Sequence, residues 1–341
     1  MKTLKESIKY VIALGVAGLL LWLVFRQIDV KQMLTRLKDI NYFFVGLSML
    51  LMIVAHLVRG YRWSLMLAPV GYKISIFRTF NAILVGYVAN LFLPRMGEIT
   101  RCGILKRTDD VQFSTSFGTV IAERIIDVFT LLSLIMLNFL LEYDLLKTFF
   151  TDLFKSKFTL ITQNLFAIYI IAGVGFVVLI ILFLLLRAYK EKLKNIPLYL
   201  KIRNLLKELV HGIMSIRKIE NKLGFWLSTI LMWVLYFLLS FVIIFSMKET
   251  AGLPIVAGFT ILVTGSIGMA TPVQGGIGAV HVLISSVLVL YGIVLEDGLL
   301  FATVLHSSQM IGTIFFGGIS LIVTVLLQRK RTRGEVPASN T

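Results

Sequence analysis

The stretch NLFLPRMGEITR, residues 90–101, decides how the rest of the chain is interpreted. It continues an apolar run that is typical of a membrane helix, breaks at Pro94, and then presents Arg95, Glu98 and Arg101. Because ionisable side chains are costly at membrane depth, the stretch is either an ordinary surface loop or a functional site. The choice between a loop and a site depends on which side of the membrane the flanking segments of the chain occupy.

The composition predicts an integral membrane protein with a single, all-α polytopic domain. The chain has 341 residues, of which 57% are hydrophobic and 15% charged, against roughly 25% charged residues in soluble domains. The mean hydropathy is +0.89. Apolar runs near the roughly 20 residues that a helix needs to cross a bilayer predict about six full spans. These runs are residues 10–25, 42–58, 114–141, 165–186, 223–247 and 299–327.

The formal net charge of +16 does not indicate a nucleic-acid partner here, because the basic residues lie mainly between apolar runs. There they orient helices and meet anionic lipid headgroups. The single cysteine, Cys102, excludes an intrachain disulfide and a cysteine-based metal cluster. No pattern of metal-ligand spacing, Ser-His-Asp triad or phosphate-binding loop is found, so we expect neither a metal nor a cofactor.

Basic residues also predict the orientation. Residues 187–222 carry ten Lys and Arg against three Glu, with apolar residues at helical spacing, and predict an amphipathic segment on the cytoplasmic side. The basic tail, residues 328–341, is expected on the same side. The N-terminal segment has no cleavage site before Arg26 and is expected to be a retained first helix, with both termini cytoplasmic.

Counting charges on each side predicts two re-entrant hairpins. Both ends of residues 79–110 are expected inside, so this stretch enters and returns at Pro94. A hairpin places seven basic residues of the flanking segments on the cytoplasmic side and four on the outer side, whereas a single span reverses these two numbers. Residues 248–254 and 295–298 are both expected outside, so the segment between them folds back at Pro272.

The two halves share an order of apolar helix, Pro-centred break, return and long span. Residues 42–141 form the first predicted repeat, and residues 223–327 form the second. Since one hairpin enters from inside and the other from outside, the layout is that of an inverted-topology repeat. Two facing breaks create a cavity near the midplane, where irregular backbone is tolerated.

The first break offers candidate phosphate ligands. Pro94 can begin the returning helix, and Arg95, Glu98 and Arg101, spaced by three, then fall along one face. Two guanidinium groups suit bidentate capture of phosphate, with Glu98 orienting one of them. The alternative is a surface helix with an ordinary ion pair.

The next span contains charges within an apolar stretch. Glu123 and Asp127 lie on one helical face, and Arg124 is within reach of Asp127. They either form a structural ion pair that locks this helix to a neighbour, or line the cavity and relay protons.

The second break, TPVQGGIGAVH, adds Gln274, Gly275, Gly276 and Gly278 as candidate ligands. The glycine N–H groups can form an anion-binding nest, although glycines also simply permit a tight bend. His281 either titrates near neutrality or caps a polar pocket. His306 and Gln309 are expected to pack or form hydrogen bonds rather than bind a metal.

Three motifs together, LPRMGEITR, ERIIDVFTLL and TPVQGGIGAVH, resemble the lysylphosphatidylglycerol synthase transmembrane region family, a flippase-like membrane domain. The resemblance spans nearly the whole chain. It implies a bacterial or archaeal inner-membrane protein that moves a charged or glycosylated lipid between leaflets. The matching positions are Arg95, Gly97, Glu98, Arg101, Glu123, Arg124, Asp127, Pro272, Gly275, Gly276 and Gly278.

This chain departs from the family pattern at His281, where an acidic residue is expected. Residues 1–341 include no soluble aminoacyl-transferase domain like that of the synthases, so we do not expect the resemblance to extend to lipid synthesis. The first hypothesis is a flippase whose lipid phosphate docks between Arg95, Arg101 and Arg124. Because no ATP site is visible, movement would be driven by gradients or by protons, through Glu123, Asp127 or His281.

Two alternatives remain open at this stage. One is a membrane-embedded enzyme that modifies a lipid headgroup, with Glu98 or Glu123 as general acid or base. The other is a partner subunit without transport of its own, in which the charges are structural. In each case we expect the partners to be membrane lipids with a phosphate headgroup.

Overall fold

Helices are the only regular secondary structure in the described part of the chain, in agreement with the all-α class predicted from the sequence. The computed structural model describes residues 35–93, 95–143, 145, 147, 207, 214–271 and 273–332. Its α-helices are α1 (Tyr42–Leu67), α2 (Ile76–Phe92), α3 (Met96–Asp109), α4 (Phe113–Leu141), α5 (Lys222–Val242), α6 (Ile255–Ala270), α7 (Ala279–Leu290) and α8 (Leu295–Thr332). The predicted spans 10–25 and 165–186, Pro94, Pro272 and most of the predicted amphipathic segment lie outside the described residues.

Three segments among the described residues are long and apolar enough to cross a membrane, namely Tyr42–Val70, Lys222–Ser246 and Leu295–Arg329. Three shorter apolar helices, Ile76–Phe92, Ile255–Ala270 and Gln274–Leu290, have fewer than 18 residues each. At 1.5 Å per residue, a helix of this length falls short of the roughly 30 Å hydrocarbon core. The chain is therefore a multi-pass membrane protein, and the count of six full spans stays a prediction.

Helix α1 is longer than its apolar run suggests, because no residue that breaks a helix occurs before Pro69 and Gly71. It begins at Asn41, whose side chain accepts a hydrogen bond from the backbone N–H of Phe43 at 3.1 Å. It continues to Leu67, nine residues beyond the predicted end at residue 58. Arg59 and Arg62 were counted above as charges of a cytoplasmic loop, but they lie inside this helix. Without them, the number of basic residues expected on the cytoplasmic side falls from seven to five.

Contacts between distant segments define one end of the helix bundle, which we call the Arg36 end. Arg36 forms ion pairs with Glu249, at 2.9 Å, and with Asp297. The hydrogen bond to Asp297 raises the pKa of Arg36, which favours the charged guanidinium group at this position. The Tyr291 hydroxyl donates to Glu142 at 3.0 Å at this end. The start of α1, the ends of α4, α5 and α7 and the start of α8 therefore lie together.

The opposite end, the Arg78 end, is held by a second set of contacts. Arg78, near the start of α2, forms an ion pair with Asp109 in the last turn of α3. The Tyr72 hydroxyl accepts a hydrogen bond from the backbone N–H of Gln112 at 3.2 Å. Helices α2 and α3 thus leave from and return to the same end, which is the course expected of a hairpin.

Helices α6 and α7 form a second hairpin, which starts and finishes at the Arg36 end. The two hairpins meet in the interior, where the Gln274 side-chain amide donates to the backbone carbonyl of Phe92, the last residue of α2, at 2.9 Å. The His306 ring on α8 also lies 2.8 Å from the carbonyl oxygen of Gly275. The two tips therefore approach from opposite ends of the bundle and touch.

Small residues permit close helix packing within the first hairpin. The backbone N–H of Gly97 donates to the Asn90 side chain at 2.6 Å, which ties the start of α3 to α2. A Cβ atom added at Gly97 would lie 2.7 Å from Asn90 Nδ2 and closer still to the carbonyl oxygen of Gly86. Since real Cβ atoms do not approach other atoms this closely, only glycine fits here.

We expect Gly97→Ala to lower the free energy of unfolding by about 1–3 kcal/mol, because the two helices of the hairpin must separate. Gly103→Ala on the same helix is the matched control, since no atom lies within 4 Å of a Cβ added there. That change should be neutral or stabilising by up to about 1 kcal/mol. Thermal unfolding of the purified variants in detergent measures both, and equal stabilities would contradict the close packing.

Candidate functional site

Helix α1 carries two buried arginines. Arg59 is 4% exposed and Arg62 is fully buried, and their spacing of three residues places both on one face of the helix. Burying a guanidinium group costs several kcal/mol unless it is paired and hydrogen-bonded. The fold therefore requires carboxylates opposite this face of α1.

Helix α4 supplies those carboxylates. Arg59 Nη2 pairs with Glu123 Oε1 and lies 3.0 Å from Asp127 Oδ2. Arg62 Nη2 lies 3.1 Å from Glu123 Oε1 and 2.7 Å from Asp127 Oδ1. Because Glu123 and Asp127 are four residues apart, one face of α4 presents both acids to both arginines.

Two further arginines complete a six-residue group that we call the arginine cluster. Arg101 on α3 brings Nη2 within 2.9 Å of Glu123 Oε2, and its guanidinium lies 4.6 Å from the centre of the Trp63 ring. This geometry adds a cation–π contact to the ion pair. Arg124 lies 3.4 Å from Glu123 and 3.7 Å from Asp127. The cluster comprises Arg59, Arg62, Arg101, Glu123, Arg124 and Asp127.

The charges of the arginine cluster do not balance. Four arginines face two carboxylates, which leaves two positive charges uncompensated among the described residues. Further contacts of Arg59 Nη1, to the Tyr87 hydroxyl at 2.7 Å and the Tyr236 hydroxyl at 3.3 Å, are with neutral groups. The cluster therefore holds a buried excess of positive charge.

Several donors of the arginine cluster also lack acceptors among the described residues. Arg59 Nε, Arg62 Nε, Arg62 Nη1 and Arg124 Nε are buried without a hydrogen-bond partner. Arg101 Nη2 is within ion-pair distance of Glu123, but its orientation does not make a hydrogen bond. Since buried polar groups are almost always satisfied, these donors are available to an acceptor from outside the described residues.

The structure corrects the predicted role of the first break. Arg101 joins the cluster, but Arg95 does not, since it is exposed and adopts a left-handed conformation with φ = 63°. It occupies the N-cap position of α3 without a capping hydrogen bond from its side chain, so the helical spacing assumed in the prediction does not apply to it. Glu98 forms no ion pair with any described residue, so it does not orient an arginine, and its Oε2 atom is buried without a hydrogen-bond partner.

The second break does not form the predicted anion nest. The N–H of Gly276 donates to the Val273 carbonyl at 3.1 Å, and the N–H of Gly278 lies 3.4 Å from His281 Nδ1. Positive φ angles at Gly275, Gly276 and Gly278 make a tight bend instead. His281 is buried at the start of α7, where it caps the helix, and its ring centre lies 5.1 Å from that of His306.

Sequence reasoning missed the two arginines of α1, Arg59 and Arg62. It also missed the tyrosines that contact Arg59, which are Tyr87 on α2 and Tyr236 on α5. One signal was available, because the two arginines repeat at helical spacing directly after an apolar run without an intervening breaker. The predicted residues that the structure brings together are Arg101, Glu123, Arg124 and Asp127. Within the described ranges, no group of three His, Cys, Asp or Glu residues could hold a metal ion.

The chain is similar to a known group of membrane proteins. A family model described as the lysylphosphatidylglycerol synthase TM region matches residues 10–317. A UPF0104 membrane protein of Methanocaldococcus jannaschii is 25% identical over 50% of this chain and 52% of its own length. A UPF0104 membrane protein of Methanothermobacter thermautotrophicus is 26% identical over 64% of this chain and 67% of its own length.

A third relative, the glycosyltransferase AglD of Haloferax volcanii, is 27% identical over 35% of this chain and 20% of its own length. The chain thus spans about half the length, or less, of several curated relatives that it matches. No solved structure matches it.

We expect Glu123→Gln to lower the free energy of unfolding by about 3–5 kcal/mol, because it leaves buried arginines without their central partner. Glu296→Gln is the matched control, since Glu296 is exposed on the first turn of α8 and forms no ion pair with the described residues. The control should stay within about 0.5 kcal/mol of the wild type. Denaturant unfolding in detergent compares them, and a Glu123→Gln protein as stable as the control would refute the central role of this carboxylate.

Proposed function

The chain belongs to the lysylphosphatidylglycerol synthase TM region family, and from this membership we propose that it transports an anionic lipid between the two leaflets of a bacterial or archaeal plasma membrane. The observation that carries the proposal is the excess of two positive charges in the arginine cluster, three of whose four arginines are buried. A membrane protein maintains such an excess at considerable cost unless an anion neutralises it. Lipid phosphate groups are the abundant anions of a bilayer.

The position of Arg124 supports access from the lipid. Its side chain is 41% exposed, whereas those of Arg62 and Glu123 are fully buried. Val128, four residues later on the same face of α4, is 54% exposed, as expected of a surface that meets acyl chains. A lipid can then place its headgroup against Arg124 while its tails remain in the bilayer.

The arrangement of the helices supports alternating access through an inverted repeat. Helix α1, the α2–α3 hairpin and α4 correspond in order to α5, the α6–α7 hairpin and α8. The contacts follow the same correspondence, since α2 packs against α8 while α6 packs against α4. With hairpins that start from opposite ends, rocking of one repeat against the other exposes the site to each leaflet in turn.

The cluster geometry favours transport over headgroup chemistry. Both oxygens of Glu123 and of Asp127 lie within ion-pair distance of a guanidinium group, so neither acid has an open position to accept a proton from a headgroup. These contacts also weaken the earlier suggestion that the two acids relay protons. Mass spectrometry of the lipids after incubation tests the enzymatic alternative, because a transporter leaves the headgroup unchanged.

We expect Arg124→Gln to slow lipid transfer about tenfold or more, since one charge-assisted hydrogen bond is worth roughly 1.5–3 kcal/mol. Arg217→Gln is the matched control, because Arg217 is an exposed arginine before α5, distant in sequence from the cluster. Proteoliposomes with headgroup-labelled phosphatidic acid or phosphatidylglycerol, quenched from outside, report the rate. Absence of transfer of every anionic lipid by the wild type would refute the function.

We expect a cross-link at the Arg36 end to stop transport reversibly, because alternating access requires this end to open. The variant combines Cys102→Ser, Arg36→Cys and Asp297→Cys, bridged by a reducible thiol-reactive linker. Transfer should cease on bridging and return on reduction, with the Cys102→Ser, Arg36→Cys protein treated identically as the control. Full transfer by the bridged protein would argue against opening at this end.

A further inference from the structure

We propose that the anion bound at the arginine cluster carries two negative charges, as a phosphate monoester does, and not one, as a phosphodiester does. The inference rests on the proposed function and specifies its substrate class. It starts from the charges of the cluster, in which four arginines share two carboxylates.

The charge balance distinguishes the two chemical classes. A dianionic phosphate monoester neutralises both uncompensated charges, whereas a diester leaves one positive charge buried. The remaining charge is costly because Arg59, Arg62 and Arg101 are each at most 4% exposed. Neighbouring cations also favour the fully ionised form of a monoester, whose second ionisation has a pKa of about 6.

The available donors favour the same class. Four buried guanidinium nitrogens, on Arg59, Arg62 and Arg124, have no acceptor among the described residues. A monoester offers three terminal oxygens to such donors, and a diester only two. Arginine is suited to this recognition because its planar N–H groups can contact two oxygens at once.

Other charged residues of the first hairpin do not alter this balance. Arg95 and Glu98 carry opposite charges and belong to none of the ion pairs of the cluster. The excess of two therefore originates in the arginine cluster itself.

The experiment measures binding of three probes to the full-length protein in neutral detergent by isothermal titration calorimetry. The probes are dioleoyl phosphatidic acid, a lipid monoester; dioleoyl phosphatidylglycerol, a diester with the same acyl chains; and inorganic phosphate. We expect phosphatidic acid to bind at least tenfold more tightly than phosphatidylglycerol. Inorganic phosphate, without acyl chains, should bind more weakly than phosphatidic acid.

A charge variant tests the count directly. Arg124→Gln reduces the excess from two to one, so the preference for phosphatidic acid over phosphatidylglycerol should fall at least tenfold, mainly through weaker binding of phosphatidic acid. Because Arg124 is partly exposed, its loss should leave the fold intact, and unfolding in detergent verifies this. Arg217→Gln should leave the preference unchanged.

The outcomes separate this inference from the proposed function. Equal or tighter binding of phosphatidylglycerol by the wild type, or an unchanged preference in Arg124→Gln, overturns the monoester while lipid transport stands. Binding of inorganic phosphate as tightly as phosphatidic acid supports the dianion but removes the lipid as its source. Binding of no probe overturns both proposals.

Discussion

The pairing of Arg59 and Arg62 on α1 with Glu123 and Asp127 on α4 is the interaction on which the rest of the described structure depends. Neither pair of side chains can be buried without the other, since each isolated charge would cost several kcal/mol. The pairing fixes the register of α1 against α4, and the Trp63 indole then donates to Thr119 at 3.0 Å one turn further on. Arg101 of α3 packs on the same indole, so the first hairpin is positioned by the same contact.

The arginine cluster differs from a simple salt bridge because its positive and negative charges are unequal in number. Two carboxylates are enough to hold four arginines in place, but not enough to neutralise them. The same residues thus provide the structural anchor of the first half and, in the proposed function, the net charge that the lipid phosphate balances. A structural role and a binding role for these charges, which the sequence left as alternatives, are compatible.

Much of the fold could be predicted because the apolar runs and turn residues are local signals. The all-helical class follows from those runs. The hairpin course of α2 and α3 was also expected, but the charge count that predicted it included Arg59 and Arg62, which lie inside α1. The length of α1 could not be predicted in this way, because Arg59 and Arg62 are neutralised by residues about 60 positions later. In the sequence alone, a buried arginine that pairs with a distant carboxylate cannot be distinguished from an arginine in a loop.

The candidate site was predicted in part for a related reason. Glu123, Arg124 and Asp127 stand out because they interrupt an apolar span. Helical spacing predicted Arg101 as a site residue, and the structure places it in the arginine cluster. The same spacing does not apply to Arg95, because its positive φ angle places it before α3 begins. At the second break the glycines were recognised, yet the pattern could not show that the N–H groups of Gly276 and Gly278 are used within the bend.

The contact between Gln274 and the Phe92 carbonyl has a consequence for the energetics of motion. The last carbonyl groups of a helix have no partner within that helix, and here the second hairpin supplies one for the first. Separating the tips would leave this carbonyl and the Gln274 amide to be satisfied by water or by substrate. Loss of a buried hydrogen bond costs about 1–3 kcal/mol, so in the proposed transport cycle this contact would contribute to the barrier between conformations. A polar headgroup that occupied the gap would lower that barrier, which would couple the presence of substrate to the rate of opening.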